Sequence, residues 1–158
     1  MKPDKSVSRM MKSVPLALAL MAAGGAPALA DPTGQMAPPP PVQMDTPITV
    51  NGVDTACTGI ADSKDDPRWK TYPVRIEFSN GGAQYLAGAH VSLAKGSNVL
   101  AAFDCQATWV LFRLPPGNYT VTGTILGSSA KPRMAKFSPP RGGQKRIVLR
   151  FPDFQANQ

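Results

Sequence analysis

The chain has 158 residues, with 17 Lys and Arg against 10 Asp and Glu, two cysteines and a single histidine. That length suits one small domain, and one histidine with two cysteines cannot supply the three or four imidazole and thiolate ligands of a zinc site. Four bases (Lys2, Lys5, Arg9, Lys12) and one acid (Asp4) fall in residues 1–30, so the remainder holds 13 bases and 9 acids, a net charge of +4 that does not by itself point to nucleic acid.

Residues 1–30 read as a signal peptide: the four bases form an n-region, Pro15 to Ala23 an apolar stretch too short to span a bilayer, and Ala28-Leu29-Ala30 a small-x-small cleavage site. Processing is expected before Asp31, with Met10 and Met11 as alternative starts. No cysteine near that point supports a lipid anchor, and no later apolar run is long enough for a membrane helix, so the expected location is periplasmic or secreted, with no transmembrane segment after cleavage. Residues 31–45 form a Pro-rich linker whose four prolines at 38–41 favour an extended spacer.

The folded domain is expected over 46–154, followed by a short tail at 155–158. Ile48–Val50 and Ala56–Ile60 are early strand candidates. Asp65-Asp66-Pro67-Arg68-Trp69 signals a short helix near 65–71, with an Asp cap and proline in the first turn. Val74, Ile76 and Phe78 alternate with Arg75, Glu77 and Ser79 as a half-buried strand that Asn80-Gly81-Gly82 ends. Ala89, Val91 and Leu93 face one way and His90 and Ser92 the other; Lys95-Gly96-Ser97-Asn98 turns the chain back into Val99–Phe103. Thr108–Leu114 is strongly apolar and expected to be central. Pro115-Pro116-Gly117-Asn118 then predicts a hairpin into Tyr119–Ile125. Met134–Phe137 is short, and Arg146–Phe151 closes the domain with Ile147, Leu149 and Phe151 inward. Short strands with Gly/Pro turns at intervals of about 8–12 residues predict an all-β, antiparallel Greek-key β-sandwich, a small barrel being the alternative.

In an exported chain, Cys57 and Cys105 most simply form one disulfide, worth roughly 4 kcal/mol in the chain-entropy model. No catalytic set is visible. His90 lies on the polar side of its strand with no identifiable partner. Asp62, Asp65 and Asp66 lack the alternate spacing and terminal Glu of a calcium loop. Met36, Met44 and Met134 form no compact copper site. Trp109 is expected to pack against the disulfide, and Trp69 to fix the short helix to the sheet. The one asymmetric feature is residues 131–150, with seven bases and no acid. On a hairpin, Lys131, Arg133, Lys136, Arg146 and Arg150 would make a basic ribbon for an anionic partner, or an edge guarded by bases against aggregation.

Ala87-Gly88-Ala89-His90-Val91-Ser92-Leu93, Val99-Leu100-Ala101 and Leu114-Pro115-Pro116-Gly117-Asn118-Tyr119-Thr120-Val121 together resemble the carboxypeptidase regulatory-like domains, which belong to the transthyretin-like (prealbumin-like) sandwiches. The resemblance covers roughly 74–151 and is closest to small secreted proteobacterial proteins. It implies a prealbumin-like fold that accompanies peptidases, receptors and surface proteins without doing their chemistry. Where such domains carry a glycine-containing turn, this chain has Asp104-Cys105-Gln106-Ala107, which implies that the disulfide ties this loop to the first strand. The expectation is a non-enzymatic binding or structural module of the bacterial envelope, needing no cofactor or metal. Its partner would be an unknown protein or an anionic envelope component, and not nucleic acid. The alternatives are an accessory module taking anionic glycan or lipid on 131–150, and a small hydrolase with an unrecognised site.

Overall fold

The computed structural model describes residues 42–155. The expected signal peptide, its cleavage site, the four-proline tract and the last three residues lie outside them. Nine strands form two sheets: β1 (Pro47–Val50), β2 (Val53–Thr58), β3 (Val74–Asn80), β4 (Ala89–Lys95), β5 (Asn98–Cys105), β6 (Trp109–Arg113), β7 (Tyr119–Ile125), β8 (Arg133–Phe137) and β9 (Lys145–Phe151). One sheet has the order β1-β2-β6-β3-β9 and the other β5-β4-β7-β8. Their inner faces close over one core, in which Val74, Ile76 and Phe78 meet Val91, Leu93, Phe103, Val121, Leu149 and Phe151. Burying each of these side chains contributes about 1.5–3 kcal/mol before entropy is subtracted.

Alternation places most strands where the sequence puts them, and β6 is indeed central. The connections differ. β6 and β7 are not a hairpin: Pro115-Pro116 carries the chain across from one sheet to the other, and the Tyr119 hydroxyl donates to the Pro115 carbonyl at 2.9 Å to fix the corner. β8 and β9 are not a hairpin either. β8 pairs with β7, whereas β9 pairs with β3 in parallel, so the five-stranded sheet is mixed. Phe137 of β8 stacks on Tyr119 at 5.9 Å, and Leu149 and Phe151 of β9 fill the core from the other sheet. The link at 138–144, with Pro139-Pro140, carries the chain from one sheet to the other.

No α-helix occurs among the described residues. The short helix expected near 65–71 is a 3-10 turn, Pro67–Thr71, and a second 3-10 turn, Ala61–Asp65, precedes it. Asp66 caps the turn at Pro67–Thr71 by accepting from the Arg68 amide at 3.0 Å. Trp69 is buried with Ala56, Tyr72 and Leu111, and so fixes this turn to the outer side of β2 and β6. The β1–β2 hairpin turns at Asn51-Gly52, both with positive φ, as a two-residue turn of this hand requires.

Cys57 and Cys105 are disulfide-bonded with Cα atoms 5.6 Å apart. Cys57 lies on β2 and Cys105 on β5, so the bridge joins the two sheets, through the second strand rather than the first. Residues 42–45, expected in the linker, belong to this fold. Val42 bridges to Cys105, Met44 to Cys57, and Val42 is buried in the core.

Candidate functional site

The outer face of the five-stranded sheet is built by alternation. Arg75, Glu77 and Ser79 point outward from β3 because Val74, Ile76 and Phe78 point inward; Arg146, Val148 and Arg150 do the same on β9. Parallel register sets Arg75 beside Arg146, Glu77 beside Val148 and Ser79 beside Arg150, while Trp109 of β6 faces Glu77 from the other side. Glu77 is fully buried. Its Oε2 accepts from Arg146 Nε at 2.7 Å and pairs with Nη2 at 2.6 Å; its Oε1 lies 2.9 Å from Arg75 Nε, an ion pair whose N–H is not aligned as a hydrogen bond. The Arg75 guanidinium lies 4.3 Å over the Trp109 ring. Trp109 is therefore clamped on the outer face rather than packed against the disulfide, which lies on the core side of the sheet. Gly59, with φ +98°, passes over this ring where any Cβ would come within 2.5 Å of it. The hydrogen bond Arg146 donates to Glu77, with a smaller contribution from the Tyr85 hydroxyl as acceptor, raises the Arg146 pKa above its usual value and holds its charge in place.

Beyond Glu77, the chain reverses at once. Gly82 N donates to Asn80 Oδ1 at 2.8 Å, Asn80 N to the Gln84 carbonyl at 3.0 Å and Leu86 N to the Phe78 carbonyl at 2.9 Å. This returns Tyr85 opposite Ser79. A row Tyr85, Ser79, Arg150 therefore crosses the sheet, with Arg146 beside it. These four side chains, with Gly82 and Val148, line a depression of about 340 Å3, and no residue lining it is acidic. Ser79 is only 4% exposed, and its hydroxyl has no hydrogen-bond partner among the described residues. A hydroxyl left so costs about 1–3 kcal/mol.

The five bases singled out in the sequence do not come together. Arg133 is tied to Asp153 at 2.8 Å, and the Lys131 amide donates to the same carboxylate at 3.0 Å. That amide first, then Arg133, pulls the Asp153 pKa down to about 2. Lys136 lines a separate groove of about 600 Å3 with Lys145, Asn118 and Tyr119. Of the five, only Arg146 and Arg150 line one depression, because both point outward from β9. Ser79, Tyr85 and the Glu77 clamp were missed. The available signal was the alternation Arg75-Ile76-Glu77-Phe78-Ser79 running into a Gly-Gly turn.

The outer face of the four-stranded sheet carries His90, whose Nδ1 lies 2.6 Å from Asp104 Oδ1. Register also places Thr124 of β7 beside His90, giving a row of carboxylate, imidazole and hydroxyl across β5, β4 and β7. None of the three lines the depression at Ser79 or the groove at Lys136.

Comparison of the sequence with protein-family models and with curated proteins finds no match.

Proposed function

We propose that the chain is a non-enzymatic, exported binding module of the bacterial envelope, periplasmic or secreted, that takes an anionic envelope component on the outer face of its five-stranded sheet. Its fold is read as a Greek-key, prealbumin-like sandwich of the carboxypeptidase regulatory-like type. The two-sheet architecture and the Leu114–Val121 segment support this reading. The inter-sheet disulfide is consistent with an oxidising, extracytoplasmic location. One observation carries the anion reading: Arg146 and Arg150 flank a depression without acids whose floor holds an unpartnered, buried Ser79 hydroxyl. Sedimentation of the full chain with phosphatidylglycerol vesicles, and with purified anionic envelope glycan, tests it. Binding should weaken with salt, since charges are screened beyond about 8 Å at physiological ionic strength, and should fall in the Arg146→Gln/Arg150→Gln variant. Neutral phosphatidylcholine vesicles bound equally well would contradict it.

The second reading, a small hydrolase, draws on the Asp104, His90, Thr124 row. An imidazole oriented by a carboxylate is the arrangement of a general base. Thr124 makes no hydrogen bond to His90 among the described residues. Turnover of activated esters that His90→Ala abolishes would favour this reading; equal background rates would remove it.

A further inference from the structure

We infer that the depression on the outer face binds a single phosphate group, held by Arg146, Arg150, the Ser79 hydroxyl and the Tyr85 hydroxyl. This rests on the anion reading above and names the chemistry of the group recognised.

Four features of the depression agree. First, the Ser79 hydroxyl is buried without a partner, and an acceptor oxygen in the depression would satisfy it. Second, Arg146 is already held. Nε and Nη2 are committed to Glu77, which fixes the guanidinium plane beside the Tyr85 hydroxyl, and a guanidinium has five N–H donors, more than these contacts use. A side chain ordered before binding loses little entropy on binding. Third, Arg150 is lightly held: among the described residues its one side-chain hydrogen bond is Nη1 to the Gly82 carbonyl at 3.4 Å, long enough to exchange for a charged acceptor. Fourth, the charges fit. Glu77 offsets one of its two arginine partners, and Arg150 adds a second net positive charge, matching inorganic phosphate or a phosphomonoester of charge about −1.5 to −2 and exceeding the single charge of a phosphodiester headgroup.

Shape separates phosphate from carboxylate. A planar carboxylate has two oxygens and is satisfied by one guanidinium fork. Here the donors converge from three stretches of chain, Ser79 on β3, Tyr85 on the returning segment, and Arg146 and Arg150 on β9. A tetrahedral group presents oxygens in all those directions at once. At about 340 Å3, the depression also has room for what the phosphate is attached to.

Calorimetric titration of the full chain with inorganic phosphate, and with acetate as the planar control, tests the proposal. Phosphate should bind and acetate should not. Ser79→Ala should raise the phosphate Kd by about ten- to a hundredfold, the equivalent of one hydrogen bond to a charged acceptor, while the melting temperature stays level or rises because an unpartnered hydroxyl is removed. Arg150→Gln should raise the Kd at least about tenfold, and Lys64→Gln, on the exposed first 3-10 turn, should leave it unchanged. Competition identifies the source of the group. Inorganic phosphate displacing the protein from phosphatidylglycerol vesicles assigns the site to a lipid headgroup. Phosphate binding without vesicle or glycan binding assigns it to a soluble phosphate, so that the inference stands and the envelope reading falls. Vesicle or glycan binding with no response to phosphate leaves the envelope reading and overturns the inference. Acetate binding as tightly as phosphate, or an unchanged Kd in Ser79→Ala, also overturns it.

Discussion

The outer faces of the two sheets are made by the same alternation and end up with opposite character. On the five-stranded sheet, outward positions carry Arg75, Glu77, Trp109, Arg146 and Arg150, and part of the face is roofed by the 3-10 turn holding Trp69. On the four-stranded sheet they carry Ser92, Ala94, Ala102, Thr120, Thr122, Thr124, Met134 and Lys136, with His90 beside Asp104. Both faces hold a carboxylate beside a base. Glu77 is fully buried under its arginines, whereas the His90 and Asp104 side chains are 37% and 22% exposed. A pair that water reaches is screened and worth little; a buried carboxylate stripped of its partners is a large liability. The first arrangement fixes a charged surface rigidly. The second decorates a surface that stands without it.

Four perturbations sharpen that contrast. The largest effect should come from the element both sheets share. A Cys57→Ser/Cys105→Ser variant should lose about 4 kcal/mol in chemical denaturation. The five-stranded face comes next. Glu77→Gln removes the charge from the centre of the clamp and should cost about 3 kcal/mol, the low end for breaking a buried pair, because Arg75 and Arg146 retain 25% and 52% side-chain exposure and reach water. On the other face, His90→Asn should cost less than about 1 kcal/mol in the same assay. A Glu77→Gln loss no larger than that of His90→Asn would erase the distinction.

The smallest effect is an acid-side one. The Asp153 carboxyl is held near 2 against an ordinary 3.8. A depressed carboxyl stabilises the fold above its unfolded value, so this contribution is present above pH 3.8 and is lost as the pH falls toward 2. Asp153→Asn should be less stable than the parent at neutral pH, and the two denaturation midpoints should converge over that window.

Much of the strand content was legible, because burial on one face imposes a period of two on β3, β4, β7 and β9. Sheet membership was not. Pro115-Pro116-Gly117-Asn118 reads equally as a tight turn and as a corner between sheets, and nothing in β9 announces a parallel partner 71 residues back. The β1–β2 hairpin did carry a signal, Asn51-Gly52. The site follows the same division. Charge counting finds Arg146 and Arg150, but it also gathers Lys136, which lies on the other sheet. It includes Arg133 too, because its partner Asp153 falls just past the acid-free window. Ser79 and Tyr85 become site residues only through the pairing of β3 with β9 and with the returning chain at Tyr85, a property of topology rather than of composition.

The central claim is that the arginine-bearing face of the five-stranded sheet, and not the other face or the lysine groove, receives the anion. Amide chemical-shift mapping of the full chain during titration with inorganic phosphate tests it most directly. The account predicts shifts at residues 79–85 and 146–150, with His90, Ser92, Thr122 and Thr124 unmoved. Shifts confined to Lys136, Ser138 and Lys145, or spread over the four-stranded face, would contradict it.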